Sequence, residues 1–208
     1  DFPDKGVGLN RNNLLMRASA KYCLFGDDDL VYVDGYEEIV EKSFEKHPNA
    51  DVIIFNLKDE NKRYRIKKDF KVRKYNYMRF GAARIAVRLS SIQFNNIYFN
   101  VLFGGGTKFS HGEDTVFLKD CLDAHLKIYA VTEEIAKLTD SDSTWFNGYT
   151  EKLLQDKGVL FYRLSSHFYR FIFLYQSSKL VKHYNKSIIQ LYKNMKIGLK
   201  KYLESNKK

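Results

Sequence analysis

The sequence predicts an α/β domain, with a mostly parallel sheet flanked by helices and a C-terminal helical extension. Three observations predict it. Short apolar runs at 22–25, 50–55 and 127–131 read as buried strands. Segments with apolar residues three and four apart lie between them, giving the helix–strand alternation of a parallel sheet. From Val159 onward the pattern is helical and aromatic, with no further strand signal.

The elements follow in order. Residues 9–20 read as a helix whose apolar side is Leu14, Leu15 and Ala18, with Arg11 and Arg17 elsewhere. Tyr22-Cys23-Leu24-Phe25 is a buried strand, and Gly26 opens an acidic turn through Asp29. Asp34 is a suitable N-cap, with Glu37 three residues on and Tyr36, Ile39, Val40 and Phe44 at helical spacing. Residues 50–55 form the next strand. Residues 58–78 are charged and weakly alternating, as in a hairpin or loop at a sheet edge. Residues 81–91 read as a helix with Arg84 and Arg88 four apart on a solvated face, and Ile97–Phe103 as a strand. The glycine run 104–106 is a loop able to close over a ligand. Glu113-Asp114 opens a helix with Phe117, Leu118, Cys121, Leu122 and His125 inward. After the strand at 127–131, a loop holds Ser143-Thr144-Trp145-Phe146 and precedes a helix ending near Gly158. The last helix places Val181, Tyr184, Ile188, Leu191, Met195, Leu199 and Tyr202 at spacings of three and four. Residues 168–175 are apolar but too short and too interrupted by charge to span a bilayer.

Composition narrows the function. With 208 residues and 44% hydrophobic residues, the chain can bury a real core. The net charge is +10, but residues 179–208 hold nine lysines and one acid, so the basic character belongs to the tail. That disfavours a nucleic-acid-binding core. Two readings of residues 179–208 follow: a basic amphipathic helix in peripheral contact with anionic membrane, on the inner face of the plasma membrane in a cytoplasmic protein, or a helix packed on the domain with a solvated lysine face. Two cysteines, Cys23 and Cys121, sit in apolar patterns and read as buried thiols of a reducing compartment.

The strongest chemical signal is Asp27-Asp28-Asp29 after an apolar strand. Adjacent carboxylates repel unless a cation or donors compensate them. In an extended start, Asp27 and Asp29 point to one side. Such a pair suits Mg²⁺ or Mn²⁺, which take oxygen ligands and keep positions open for phosphate. The second signal is Glu113-Asp114 at a helix start, where a carboxylate could take a proton from an acceptor hydroxyl.

Taken together, Gly8-x-x-Arg11-Asn12, the strand leading to Asp27-x-Asp29, and Glu113-Asp114 resemble the family 2 glycosyltransferases with the GT-A fold, a Rossmann-like α/β architecture. The resemblance covers residues 5–146, and Ser143-Thr144-Trp145 resembles a loop of capsule- and cell-wall-type members. It implies a metal-dependent, inverting hexosyltransferase. The donor would be a nucleotide-diphosphate sugar, a UDP-sugar first of all. The acceptor would be a saccharide or lipid-linked saccharide of cell-surface polysaccharide synthesis. It implies donor binding by Arg11, Asn12, Asp27, Asp28 and Asp29, with Asp27 and Asp29 on the metal. Asp114 is the implied base, with Glu113 beside it. His111 and Trp145 are candidates for acceptor contact. The family's first strands, which grip the nucleobase, precede its Arg-Asn pair, so residues 1–146 are expected to be a catalytic domain lacking them and inactive alone. Residues 147–208 are expected to be a helical region with a basic tail. A histidine near position 140 in many members has no counterpart in Leu138-Thr139-Asp140-Ser141-Asp142. Two other classes are weighed: a Mg²⁺-dependent nucleotidyltransferase, which calls for a glycine-rich phosphate loop, and a non-catalytic, basic-tailed adaptor or binding module.

Overall fold

In the computed structural model the described residues are 6–58, 65–139 and 148–206. They divide into two compact units, one built from residues within 8–100 and 113–139, the other from 6–7, 101–112 and 148–206.

The first unit is a six-stranded mixed sheet with helices. Its elements are α1 (Val7–Arg17), β1 (Tyr22–Leu24), β2 (Leu30–Tyr32), α2 (Tyr36–Lys46), β3 (Val52–Lys58), β4 (Phe70–Lys71), β5 (Ile85–Arg88), α3 (Leu89–Phe94), α4 (Glu113–Asp123) and β6 (Ile128–Leu138). The strand order is β1-β5-β3-β6-β2, with β4 also on β6. Among the described residues of this sheet the β3–β6 pairing is parallel and the others are antiparallel. This corrects the expected mostly parallel sheet. A helix–strand rhythm does not make successive strands neighbours: β1 and β3 are separated by β5, which runs against both. β1 and β2 sit at opposite ends of the order but are joined by only five residues, so the sheet curls to bring its edges together.

The core follows from β3. Val52-Ile53-Ile54-Phe55 is wholly buried, as a central strand with both faces covered requires. Val40 and Phe44 of α2 pack with it, and Phe44 stacks on Tyr22 at 4.0 Å. Asn56 is a buried polar residue where the β3–β6 register shifts. Its amide donates to the Ile66 and Thr132 carbonyls and accepts from Ile66 N–H, so the irregularity leaves no unpaired group there.

Three further expectations change. Residues 81–91 hold a 3-10 turn, β5 and the short α3 rather than one helix, because Ile85-Ala86-Val87 pairs with strands on both sides. Arg84 is accordingly buried, and Arg88 donates to the Ala50 and Pro48 carbonyls. The Ile97–Phe103 strand does not form. The side chain of Asn12 takes both the N–H and the C=O of Phe99, supplying the pairing a strand neighbour would give. Asp34 is not the cap of α2; Gly35 is, in the left-handed conformation with φ 70°.

The second unit consists of α5 (Glu151–Leu164), α6 (Tyr169–Tyr184), α7 (Ile188–Ser205) and the 101–112 segment. The helix expected to end near Gly158 runs on to Leu164. The single last helix is two: Asn185, at φ 48°, ends α6, and Ser187 with Gln190 forms a capping box that starts α7. Leu191, Met195 and Leu199 are buried as their spacing predicts. These three turn one side of α7 to packing, while Ile188, Ile189 and Ile197 of the same helix are exposed.

α5 and α7 cross at two glycines. A methyl at Gly158 would lie 2.1 Å from the Met195 carbonyl oxygen, and one at Gly198 would lie 2.2 Å from that of Gln155. Helix propensity alone favours Gly158→Ala by about 1 kcal/mol. The backbone collision outweighs it, because neither helix can yield a carbonyl without moving bodily. Gly158→Ala is therefore expected to destabilise this unit by about 2–3 kcal/mol, read as a lower thermal midpoint. A midpoint at or above that of the wild type would mean the helices are not in contact there.

Candidate active site

α1, the acidic turn and the start of α4 meet in the sheet-bearing unit. Arg11, on the buried side of α1, makes the junction. Its Nη2 lies 2.5 Å from Asp27 Oδ1, and its Nη1 lies 3.3 Å from Glu113 Oε1. One guanidinium thus ties together carboxylates from segments far apart in the chain, as its planar fork of donors permits. Beneath it lies an aromatic floor. The guanidinium carbon sits 5.3 Å from the Phe99 ring centre; Phe99 stacks on Phe117 at 4.4 Å, and Phe25 meets both edge-on. Asn12, one residue along α1, fixes Phe99 by its two backbone hydrogen bonds. Its amide is a positioning group for that floor.

The acidic turn is held at its far end. Leu30 N–H donates to the Asp27 carbonyl, and Thr139 donates to the Asp29 carbonyl through both N–H and hydroxyl. Asp27 and Asp28 are exposed, whereas Asp29 is partly buried and its Oδ1 has no hydrogen-bond partner. Gly26 is closely approached by Tyr32: a methyl there would lie 2.0 Å from the hydroxyl oxygen, so the phenol would have to move. Tyr32 stacks on Tyr36 at 4.5 Å, and its phenol pKa is raised by burial, then by Tyr36 and by Asp27.

Asp114 is the most perturbed group of the site. Its carboxyl is pushed up to about 6, chiefly by burial and next by the charge of Glu113. Thr115 works against that rise, donating to Oδ1 from its N–H at 2.6 Å and from its hydroxyl at 3.3 Å; Arg11 opposes it more weakly. With Oδ1 so occupied, Oδ2 faces Gly81, where a methyl would lie 3.6 Å from it. The residue as a whole is partly covered, and Oδ1 is the oxygen that Thr115 takes.

The fit of a cation rests on Asp29. A buried carboxylate oxygen without a donor is costly unless a positive charge compensates it. Asp27 is already shared with Arg11. Among the described residues no group of three or more His, Cys, Asp or Glu converges on one point. Mg²⁺ and Mn²⁺ accommodate this, because they commonly bind through one or two carboxylates and complete their shell with phosphate and water.

His111 belongs to the helical unit. Its Nε2 lies 3.5 Å from Lys157 Nζ and its Nδ1 is buried without a partner. Burial, then Lys157 and Lys152, push its pKa down to about 3, so the ring is neutral. Trp145, Asp140 and Asp142 lie outside the described residues. Sequence reasoning missed Thr115, Phe99 and Tyr32. Only Thr115 left a signal, a hydroxyl residue directly after the candidate base.

No protein-family model and no curated protein matches the sequence. Solved structures do match it. Residues 1–349 of S. aureus TarS in complex with UDP-GlcNAc superpose with a TM-score of 0.59 at 18% identity, over 88% of this chain and 54% of that one. The same TarS segment with UDP gives 0.54 at 19% identity, over 88% and 52%. A further S. aureus TarS structure gives 0.54 at 17% identity, over 88% of this chain and 32% of that one. The chain spans about half the length of the first structures it matches. The expected likeness holds at the level of fold.

Proposed function

We propose that this chain is the catalytic part of a glycosyltransferase that moves a sugar from a nucleoside-diphosphate donor to a hydroxyl acceptor with inversion, using Mg²⁺ or Mn²⁺. The observation that carries the reading is the Arg11 bridge, which brings the acidic turn and the Glu113-Asp114 pair into one place. The shared fold with a protein crystallised with UDP-GlcNAc supports a nucleotide sugar as donor.

Asp114 accepts the proton. A base works best with a pKa near the working pH, and about 6 leaves it ionised at neutrality yet still basic. Thr115 fixes its rotamer through Oδ1, so Oδ2 meets the acceptor hydroxyl. The acceptor oxygen bonds to the anomeric carbon, the bond from that carbon to the diphosphate oxygen breaks, and the proton passes to Asp114. The start of α4 favours the carboxylate through the helix dipole. Glu113, held by Arg11, orients the acceptor. When bound through Asp29 with Asp27, the divalent ion supplies the charge that offsets the departing nucleoside diphosphate.

Calorimetry with a panel of nucleoside diphosphates tests the reading. Binding is expected to require Mn²⁺, and Asp29→Asn is expected to weaken it about tenfold or more, the effect of losing one charged contact. Equal binding with and without Mn²⁺, or by the Asp29→Asn variant, would refute the site.

A further inference from the structure

The helical unit carries an anomaly that the glycosyltransferase reading does not use. α6 buries Phe173 and Ser177 on one side but is also apolar on the other. Phe168, Phe171, Leu174 and Tyr175 are exposed to 64%, 72%, 55% and 56%. At about 3.6 residues per turn, Phe171, Leu174, Tyr175 and Ser178 fall on one outward face, with Phe168 at its leading edge. Clustered large apolar side chains on a surface mark an interaction site rather than the scatter any protein shows.

The charge around this face selects the partner. Arg170 and Lys179 flank the stripe on opposite sides and Lys182 continues it; all three are exposed. Lys179 reaches over the Tyr175 ring at 4.4 Å, covering the stripe's edge with its alkyl stem. Between Asp156 and Glu204 the chain has ten lysines and arginines and not one acid. Among the described residues no helix is long and apolar enough to cross a membrane.

We infer that the outward face of α6 is a membrane-docking surface, which inserts Phe168, Phe171, Leu174 and Tyr175 at the level of anionic lipid headgroups. Aromatic and Leu side chains bordered by cations are what the boundary between headgroups and acyl chains accommodates. On α7, by contrast, Leu191, Met195 and Leu199 of the expected stripe are buried. An acidic protein could be drawn by charge, but four bulky apolar groups standing exposed on a basic face suit a fluid surface better than a rigid one.

The test is sedimentation of the chain with vesicles of phosphatidylcholine alone or with added phosphatidylglycerol, at low and high salt. The wild type is expected to sediment with the anionic vesicles and to be released progressively by salt. Phe171→Ser with Leu174→Ser is expected to reduce partitioning about tenfold or more. Arg170→Ala, Lys179→Ala and Lys182→Ala together are expected to abolish the preference for anionic vesicles. Thermal midpoints should not move, because the side chains replaced are exposed. The inference is overturned if the chain ignores both kinds of vesicle, if it binds them equally, or if the Phe171/Leu174 variant sediments like the wild type. It is overturned equally if the chain is a dimer in solution that this variant dissociates, since a second copy would then own the face.

Discussion

Asp114→Asn is expected to reduce sugar transfer by about a thousandfold while leaving binding of the nucleoside diphosphate within about twofold. The magnitude is that of removing a positioned base from a step in which an oxygen nucleophile must lose its proton. Asn keeps the shape of Asp and can still accept from Thr115 N–H, so the first turn of α4 should not move. What it lacks is the ability to take a proton at Oδ2. Nucleoside diphosphate released from donor in the presence of acceptor measures the rate, and calorimetry measures the binding. The wild-type rate should rise with pH through about 6 and level off above, as Asp114 ionises. A variant retaining a tenth of wild-type turnover, or a pH profile flat between 5 and 7, would remove Asp114 from the base role.

The same substitution has an opposite effect on stability. Asp114 has a folded pKa raised above the ordinary aspartate value of 3.8 to about 6. Between those two values the folded state holds more protons than the unfolded one, so stability falls as pH rises from about 4 to about 6. Above 6 the folded chain carries a buried charge that burial and Glu113 both disfavour. Asp114→Asn should then be more stable than the wild type at pH 7.5, by about 1–2 kcal/mol, and equal to it near pH 3.5. The figure is set below what the full pKa change gives because the residue is partly exposed to water. A site that gains stability on losing its charge, while losing its rate, is one in which the carboxylate is held for chemistry rather than for the fold.

Much of this site is legible in the chain, and the reason is local. Glu113-Asp114 opens α4 because acids favour a helix start, and Asp27 to Asp29 form a turn because β1, a half-buried edge strand rather than the fully buried one expected, ends before them. Both are consequences of neighbours within four or five residues. What is not legible is decided by partners far away. Ile85-Ala86-Val87 has apolar residues that suit helix or strand, and only β1 and β3 on either side settle it. Ile97–Phe103 has the composition of a strand, but a carboxamide 87 positions earlier takes both backbone groups of Phe99 at its centre. The direction of the strands is likewise a property of order in the sheet, since one inserted strand, β5, turns an expected parallel neighbour into two antiparallel ones. The Arg11 bridge belongs to the same class: Arg11 and Asn12 announce a helix near a metal-type turn, yet nothing local says that one guanidinium reaches both Asp27 and Glu113.

Because that bridge holds two segments at once, Arg11→Met is expected to have a large effect on both stability and rate. The two arms are unequal. The Asp27 arm is shorter, but that carboxylate is 42% exposed and water can replace its partner, so its loss costs little. The Glu113 arm is longer but drier, with 8% and 16% of the two side chains exposed. Removing Arg11 leaves the partly covered Glu113 carboxylate beside Asp114 without the partner it has in the wild type. Breaking such a pair from one side costs about 3 kcal/mol, most of it the penalty for the stranded partner. Chemical denaturation should show that loss for Arg11→Met, and addition of Glu113→Gln should restore most of it, because the stranded charge is then gone. Arg11 also lowers the pKa of Asp114, so its removal should move the midpoint of the pH–rate profile upward from about 6, a change that simple loosening of the fold would not produce. Arg11→Lys should recover little, since one compact ammonium nitrogen does not replace the two separate guanidinium nitrogens that meet Asp27 and Glu113. Should Arg11→Met leave the midpoint where it was, the two acidic motifs would be adjacent without being coupled, and the case for one site built from both would rest on proximity alone.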